Sequence, residues 1–299
     1  MALGAARAAA GMQHYPEAAL YIVATPIGNL ADISLRALHV LQLVDVIACE
    51  DKRHTQPLLR QYGIEKSLLA LHQHNEAEAA GSVVQRLQRG ERVAYVSDAG
   101  TPAVSDPGAR LVAAVRTAGF KVMPLPGASS VTTVLSAAGV TRAEGSDGSG
   151  SSFVFAGFLP SKAGERDQAI ARLQADARPV VILEAPHRIE ALARAMAPLQ
   201  GRLVTVGREL TKQFEEIATI PAQDFASWLA AGPQRTRGEF ALVLHASSAQ
   251  KEPDDSLRVL QLLLAELPLK TAVKLAADIT GAARNELYDT ALKLRKVAD

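Results

Sequence analysis

Between residues 20 and 125 the chain alternates short, continuous apolar runs with stretches whose apolar positions recur every three or four residues. The runs cover 20–25, 44–49, 68–72, 93–97 and 121–125. Each is rich in Val, Ile or Leu and mostly lacks the polar alternation of a half-exposed strand, so the pattern predicts parallel strands covered on both faces. The stretches between them predict helices. One starts with Ser34 as N-cap and buries Leu35, Leu38 and Leu41. A second covers 77–89. A third opens at Asp106-Pro107, with Asp as cap and Pro in the first helical position. Together these predict a βαβ series in an open, parallel α/β sheet.

The pattern changes after residue 152. Strand candidates at 153–158, 180–184, 203–207, 215–220 and 240–245 follow one another with little helix between several of them, which predicts a mixed sheet with antiparallel pairs. The last part is helical, at 256–266, 270–279 and 283–296, and its Thr280-Gly281 break resembles a helix-turn-helix. Residues 270–296 hold six basic and three acidic side chains. This part reads either as a small helical appendage or as a nucleic-acid-contacting module. Two breaks separate the parts, a Gly/Ser-rich run at 144–152 and a polar stretch at 247–255. The expected organisation is a disordered tail at 1–19, an N-terminal α/β domain at 20–143, a flexible loop at 144–152, a second α/β domain at 153–246 and a helical C-terminal module at 255–299. The tail is Ala-rich and carries no run of large apolar residues that would serve as a signal sequence.

Composition narrows the classes. A chain of 299 residues with 48% hydrophobic content excludes global disorder. No window approaches about 18 uninterrupted apolar residues, so no transmembrane helix is expected. Cys49 is the sole cysteine; no intramolecular disulfide and no all-cysteine zinc site can be built, which suits a cytoplasmic protein. The net charge of +1 argues against binding nucleic acid through bulk positive charge. Any such contact must come from a local patch.

Candidate chemistry gathers at strand ends. The fourth run ends in Ser97-Asp98-Ala99-Gly100-Thr101-Pro102, where Gly100 permits close backbone approach, Pro102 stiffens the loop and Asp98 offers a carboxylate. An ordinary strand–turn–helix would carry the same punctuation, and neither Gly-x4-Gly-Lys-[Ser/Thr] nor Gly-x-Gly-x-x-Gly is present. The first run leads into Thr25-Pro26-Ile27-Gly28-Asn29. The fifth leads into Pro126-Gly127-Ala128-Ser129-Ser130, at the start of a helix whose N–H groups could hold a carboxylate. In an open α/β sheet, ligands bind at the carboxyl ends of strands, so three small or polar loops at one edge mark a binding site better than any one of them.

These loops, together with Glu50-Asp51-Lys52-Arg53-His54-Thr55, His72-Gln73-His74-Asn75-Glu76, Gly157-Phe158-Leu159-Pro160, Glu184-Ala185-Pro186-His187-Arg188, Gly207-Arg208-Glu209-Leu210-Thr211-Lys212 and Gly238-Glu239-Phe240, resemble the tetrapyrrole methylase superfamily. Within it they are most similar to the branch that methylates ribosomal RNA. The resemblance runs from about residue 20 to the end. Lys52 departs from it, standing where the family usually carries Thr, and the run at 144–152 is longer than usual.

The resemblance implies a methyltransferase of two α/β domains with S-adenosylmethionine in the cleft between them. Asp98, Ala99, Gly100, Thr101 and Ala103 would line one side, Ser129 and Ser130 the methionine end, and Phe158, Ala185 and Ala241 the adenosine side. The implied reaction is 2′-O-methylation of the ribose of a decoding-centre cytidine in 16S ribosomal RNA, within the small subunit, by a homodimer without a membrane anchor. A tetrapyrrole or protein-histidine methyltransferase of the same fold, or a non-catalytic RNA-binding assembly factor, are the alternatives. A ribose hydroxyl is weakly acidic, so a proton acceptor is expected. Glu50, His72 and His187 are the foremost candidates, with Asp51, His74 and Glu184 beside them; Glu50 serves equally well as an ion-pair partner of Arg53. His72 and His74 lack an evident third ligand, so no metal is expected. Lys162 and Arg166 on a mobile basic loop, with Arg53, Arg188, Arg208 and Lys212, would form a phosphate track.

Overall fold

The computed structural model describes residues 2–72, 75–140, 152–247 and 255–298. The run at 144–152 falls outside them up to residue 151, as do His74 and most of the break at 247–255. The first sheet holds β1 (Ala19–Val23), β2 (Val46–Cys49), β3 (Leu68–Ala70), β4 (Val93–Val96) and β5 (Lys121–Leu125), in the order β3-β2-β4-β1-β5. All its pairings are parallel. Helices α2 (Leu35–Leu43), α3 (Lys52–Gln61), α4 (Glu76–Gln88) and α5 (Ala109–Thr117) connect the strands. Ser34 caps α2, its hydroxyl accepting from the Ala37 N–H at 3.0 Å. Two apolar clusters cover the two faces of this sheet, one around Tyr21, Leu41 and Ile47, the other around Leu20, Leu87, Tyr95 and Leu111. This double burial explains the continuous apolar runs.

α6 (Ser130–Ala137) follows β5. The second sheet holds β6 (Val154–Phe158), β7 (Val180–Glu184), β8 (Leu203–Arg208), β9 (Glu216–Pro221) and β10 (Phe240–Leu244), in the order β6-β7-β10-β8-β9. Only β6 and β7 pair in parallel; β7–β10, β10–β8 and β8–β9 are antiparallel. The helices here are α7 (Ala163–Ala175), α8 (Ile189–Met196) and α9 (Phe225–Ala230). α6 packs against this second sheet, with Val131 and Val134 against Val181, Ala241 and Val243. Both sheets therefore fall in one compact unit. The helices α10 (Asp255–Glu266), α11 (Leu269–Thr280) and α12 (Arg284–Ala298) form a separate unit around Leu260, Val273, Ala276 and Leu287. Gly281 ends α11 in the left-handed conformation at φ +72°, its N–H returning to the Ala277 carbonyl. No helix among the described residues is long and apolar enough to cross a membrane.

Two sequence expectations need correction. Residues 2–10 are not a frayed tail: they form α1 (Ala2–Ala10), which packs on α2. Ala6 and Ala10, one turn apart, are buried, and their small side chains let the two helices approach closely. The Ala-rich composition suits a helix as well as a tail, and only the partner face decides between them. Deleting residues 2–10 is expected to cost about 2 kcal/mol through exposure of this contact. A urea midpoint equal to that of the full chain would show that the docked helix contributes nothing. The second correction concerns α5, which starts at Ala109 rather than at Pro107. Its free N–H groups are served from outside the helix. Glu76 is buried, and its Oε1 accepts from Gly108 N and Arg110 N at 3.0 Å each and from Leu111 N at 3.4 Å. A carboxylate at a helix N-terminus also meets the positive end of the helix dipole.

Candidate active site

β4, β1 and β5 lie side by side, so the loops at their carboxyl ends meet. Thr25 N donates to Gly100 O at 2.9 Å, and Gly100 N donates to Thr25 O at 3.0 Å. The Thr101 hydroxyl donates to the Ala128 carbonyl at 3.0 Å. Gly100 sits at φ +77°, and a Cβ there would come within 3.3 Å of Ile27 Cγ2. The three stretches anticipated from sequence therefore form one edge.

A cavity of about 430 Å³ lies between this edge and the second sheet, within the range of about 300–1,000 Å³ common for small-molecule sites. Asp98, Ala99, Gly100, Thr101, Ser129 and Ser130 line it from the first sheet. Phe158 at the end of β6, Ala185 after β7 and Ala241 in β10 line it from the second. Ala103 does not reach the wall; it takes φ +65° in the loop that brings Val104 there instead. Val104, Asp106, Leu210 and Glu239 line the wall as well; sequence reasoning did not single them out as site residues, although Leu210 and Glu239 stand in two of the motifs above, because only the fold brings them to the cavity.

The polar end of the cavity is acidic. Asp98 Oδ1 accepts from the Asp51 N–H at 3.1 Å, and Oδ2 lies 2.7 Å from His54 Nδ1. Burial pushes the Glu50 carboxyl above the usual carboxylate range, and the nearby charges of Asp98 and Asp106 push it further. Burial raises Asp106 as well; Asp98 adds to the rise, and the Ser97 hydroxyl opposes it. A raised carboxyl is matched to proton transfer near neutrality. His54, which stands in the same motif as Glu50, is raised by its hydrogen bond to Asp98 and by that carboxylate's charge. Since the folded value lies above the unfolded one, the pair contributes fully below the ordinary histidine range and is lost as pH rises through the raised value. NMR titration is expected to show His54 protonating above an ordinary histidine, with Asp98→Asn abolishing the shift. An unshifted His54 in the parent protein would contradict the pairing.

The other acid–base candidates separate. His187 is exposed in the turn after β7 and does not line the cavity. His72 lies outside this cavity and walls a neighbouring one. Glu184 stays with the cavity, buried in its wall, but its Oε1 accepts from Ala185 N at 2.8 Å and pairs with Arg188 Nε at 3.0 Å.

The phosphate track expected from sequence does not survive as a whole. Arg188 is held by Glu184 and donates to the Leu159 carbonyl. Arg208 is buried, donating to the carbonyls of Arg237 and Phe214 and pairing with Glu216 at 3.5 Å. Lys212 bridges Glu209 and Glu239 at 2.8 Å each and lines the cavity, its stem against Gly28. Strand-end position alone cannot tell an arginine that holds backbone carbonyls from one that faces solvent. Residues 162–166 are not a mobile loop but the start of α7, with Lys162 as N-cap. Lys162 remains exposed beside Glu165, and Arg166 donates to the Ser161 carbonyl at 3.1 Å. Arg53 is exposed and gripped by Asp51 at 2.6 Å.

Residues 19–226 match the family described as Tetrapyrrole (Corrin/Porphyrin) Methylases, and residues 250–295 match the RsmI C-terminal HTH domain. The chain is 46% identical over 278 residues to ribosomal RNA small subunit methyltransferase I of Escherichia coli O157:H7, covering 92% of this chain and 94% of that one. It is 48% identical over 277 residues to the protein of the same name from Neisseria meningitidis serogroup B, covering 91% and 92%. Among solved structures, diphthine synthase superposes with a TM-score of 0.57 at 15% identity, over 76% of this chain and 90% of that one. Cobalt precorrin-4 methyltransferase superposes with a TM-score of 0.55 at 17% identity, over 76% and 94%. These two share the fold.

Proposed function

Because the chain belongs to the tetrapyrrole methylase family, and within it to the ribosomal RNA small subunit methyltransferase I group, we propose that it methylates the ribose 2′-hydroxyl of a decoding-centre cytidine in 16S ribosomal RNA. The substrate on this reading is the small subunit or its RNA, and the enzyme works in the cytoplasm as a homodimer. The cofactor is S-adenosylmethionine. It supplies a methyl group already activated on a sulfonium, so positioning does much of the work.

The observation that carries the reading is the cavity between the two sheets. Its wall of Ala99, Gly100, Ala185 and Ala241 is small and apolar, as an adenosine pocket requires. At Gly100 the positive φ and the nearness of Ile27 disfavour a larger residue on this wall. Ser129 and Ser130, at the start of α6, would serve the carboxylate end. The residues therefore fit the cofactor. Asp98, aimed by Asp51 and His54, would accept from its hydroxyl or amino groups. Glu50, with its raised carboxyl, would take the proton from the acceptor hydroxyl. Lys162 and Arg166 on α7, with Arg53, would meet RNA phosphates.

Labelled methyl transfer to naked 16S RNA and to small subunits, followed by mapping of the modified nucleotide, tests this reading. Label on a single ribose of a decoding-centre cytidine is expected. Label on a base, on a tetrapyrrole, or no label on either RNA substrate would overturn it.

A further inference from the structure

A second cavity, of about 500 Å³, adjoins the first. The two share Glu50 and Asp98 as wall residues; the second is completed by Asp51, the N-cap of α3, by Lys52 and Arg53 at the start of that helix, by Ala70 at the end of β3, and by His72. A group seated in the second thus faces a group seated in the first across two carboxylates.

Charge is unevenly distributed around it. Glu50 and Asp98 mark the end toward the first cavity. Arg53 lies at the α3 end, but Asp51 binds its guanidinium through Nε and Nη2, at 3.0 and 2.6 Å. Lys52 is exposed and makes no ion pair or hydrogen bond among the described residues. Asp51 and Arg53 thus answer each other on the wall, whereas Lys52 is a wall cation that no carboxylate holds among the described residues.

We propose that this second cavity seats one nucleotide of a single-stranded RNA segment, with its phosphate on Lys52 and Arg53 and its sugar hydroxyls toward Glu50 and Asp98. The inference rests on the RNA-methylating reading above and adds where the acceptor sits. The orientation follows from the charges. A phosphate beside two carboxylates would be repelled, whereas ribose hydroxyls donate to them. At the other end a lysine ammonium and a guanidinium form charge-assisted hydrogen bonds to phosphate oxygens. Single-stranded RNA can present a splayed-out nucleotide, with its 2′-hydroxyl, to such a pocket.

Fluorescence anisotropy of a labelled single-stranded oligoribonucleotide, titrated with the full chain at several salt concentrations, tests it. Lys52→Glu reverses the charge. Ala70→Phe fills the cavity and leaves its charge alone. Both are expected to weaken RNA binding at least tenfold, and Lys52→Glu to reduce the salt slope by about 0.7 for the lost phosphate contact. Both should keep the parent affinity for S-adenosylhomocysteine, because neither residue lines the first cavity. Parent-like RNA affinity in both variants overturns the proposal. So does weakening in Lys52→Glu alone, which would place the phosphate outside the cavity. Should Ala70→Phe also lose S-adenosylhomocysteine, its fold is damaged, and Ala70→Leu replaces it under the same criteria. A parent protein that binds and methylates RNA while the variants bind like it rejects only this seat. A parent protein that neither binds nor methylates RNA rejects the broader reading with it.

Discussion

Replacing Asp98 with Ala is expected to lower affinity for S-adenosylhomocysteine by roughly 10- to 100-fold with little change in thermal stability. Hydrogen bonds to a charged group are worth about 1.5–3 kcal/mol, and each 1.4 kcal/mol is about tenfold in affinity. Asp98 is a strong candidate for such a bond because its direction is fixed. The Asp51 N–H and His54 hold one carboxylate oxygen each, and the residue lines the cavity. His54 is exposed and Asp51 and Asp98 are half-buried, so removing the carboxylate opens no hole in either apolar cluster. Asp98→Asn retains an acceptor for the Asp51 N–H but loses the charge, and should fall between the two. Calorimetric titration decides the matter: an unchanged dissociation constant in Asp98→Ala would reject the assignment of this edge to the cofactor. A large drop in melting temperature would show that Asp98 acts mainly by holding the loop before α3.

The second large effect is on stability and concerns Gly108. It lies at φ +125°, where L side chains are strained, and a Cβ there would fall 2.4 Å from Tyr95 Cε1 and 3.3 Å from Cζ. Tyr95 cannot yield. Its ring is fully buried in the core beneath α4 and α5, and its hydroxyl donates to the Pro107 carbonyl at 2.8 Å. Gly108 also gives its N–H to Glu76, so a shift of the backbone would disturb the cap of α5. Backbone strain of about 1–2 kcal/mol and overpacking of about 1–3 kcal/mol together predict a loss of about 3 kcal/mol for Gly108→Ala. In a unit of this size that corresponds to a fall in melting temperature of roughly 6–12 °C. Gly119 supplies the control. It has φ +83° but nothing within 4 Å of a built Cβ, so Gly119→Ala carries strain alone and should cost about 1 kcal/mol. Equal losses at the two positions would mean that the Tyr95 contact relaxes freely.

Much of this was legible in the chain. Strands buried on both faces read as continuous apolar runs, which is why the run at 93–97 takes in β4 and that at 180–184 coincides with β7. The punctuation of Ser97–Thr101 and 126–130 marked loops built for close approach, because Gly and small residues leave a local trace. The roles of the basic residues left no such trace. Arg208, Arg188 and Lys212 are tied down by Glu216, Glu184, Glu209 and Glu239, and these partnerships depend on which elements the fold brings together. The helix at Ala2–Ala10 was missed for the same reason: an alanine stretch becomes ordered when a neighbouring helix offers it a face.

What the sequence determined by itself were periods and permissions, since both are properties of neighbouring residues: two kinds of sheet, a terminal helical unit, and three strand-end loops able to admit a ligand. What only the tertiary structure decided were encounters. Glu50, Asp98 and Asp106 share a wall, where burial raises the carboxyls of Glu50 and Asp106 and the charge of Asp98 raises both further; Glu76 caps a helix that starts more than thirty residues later; Lys52, on the wall of a second cavity, is held by no carboxylate among the described residues. Charges interact through space, with strengths set by distance and burial, and neither quantity is written in the order of the residues.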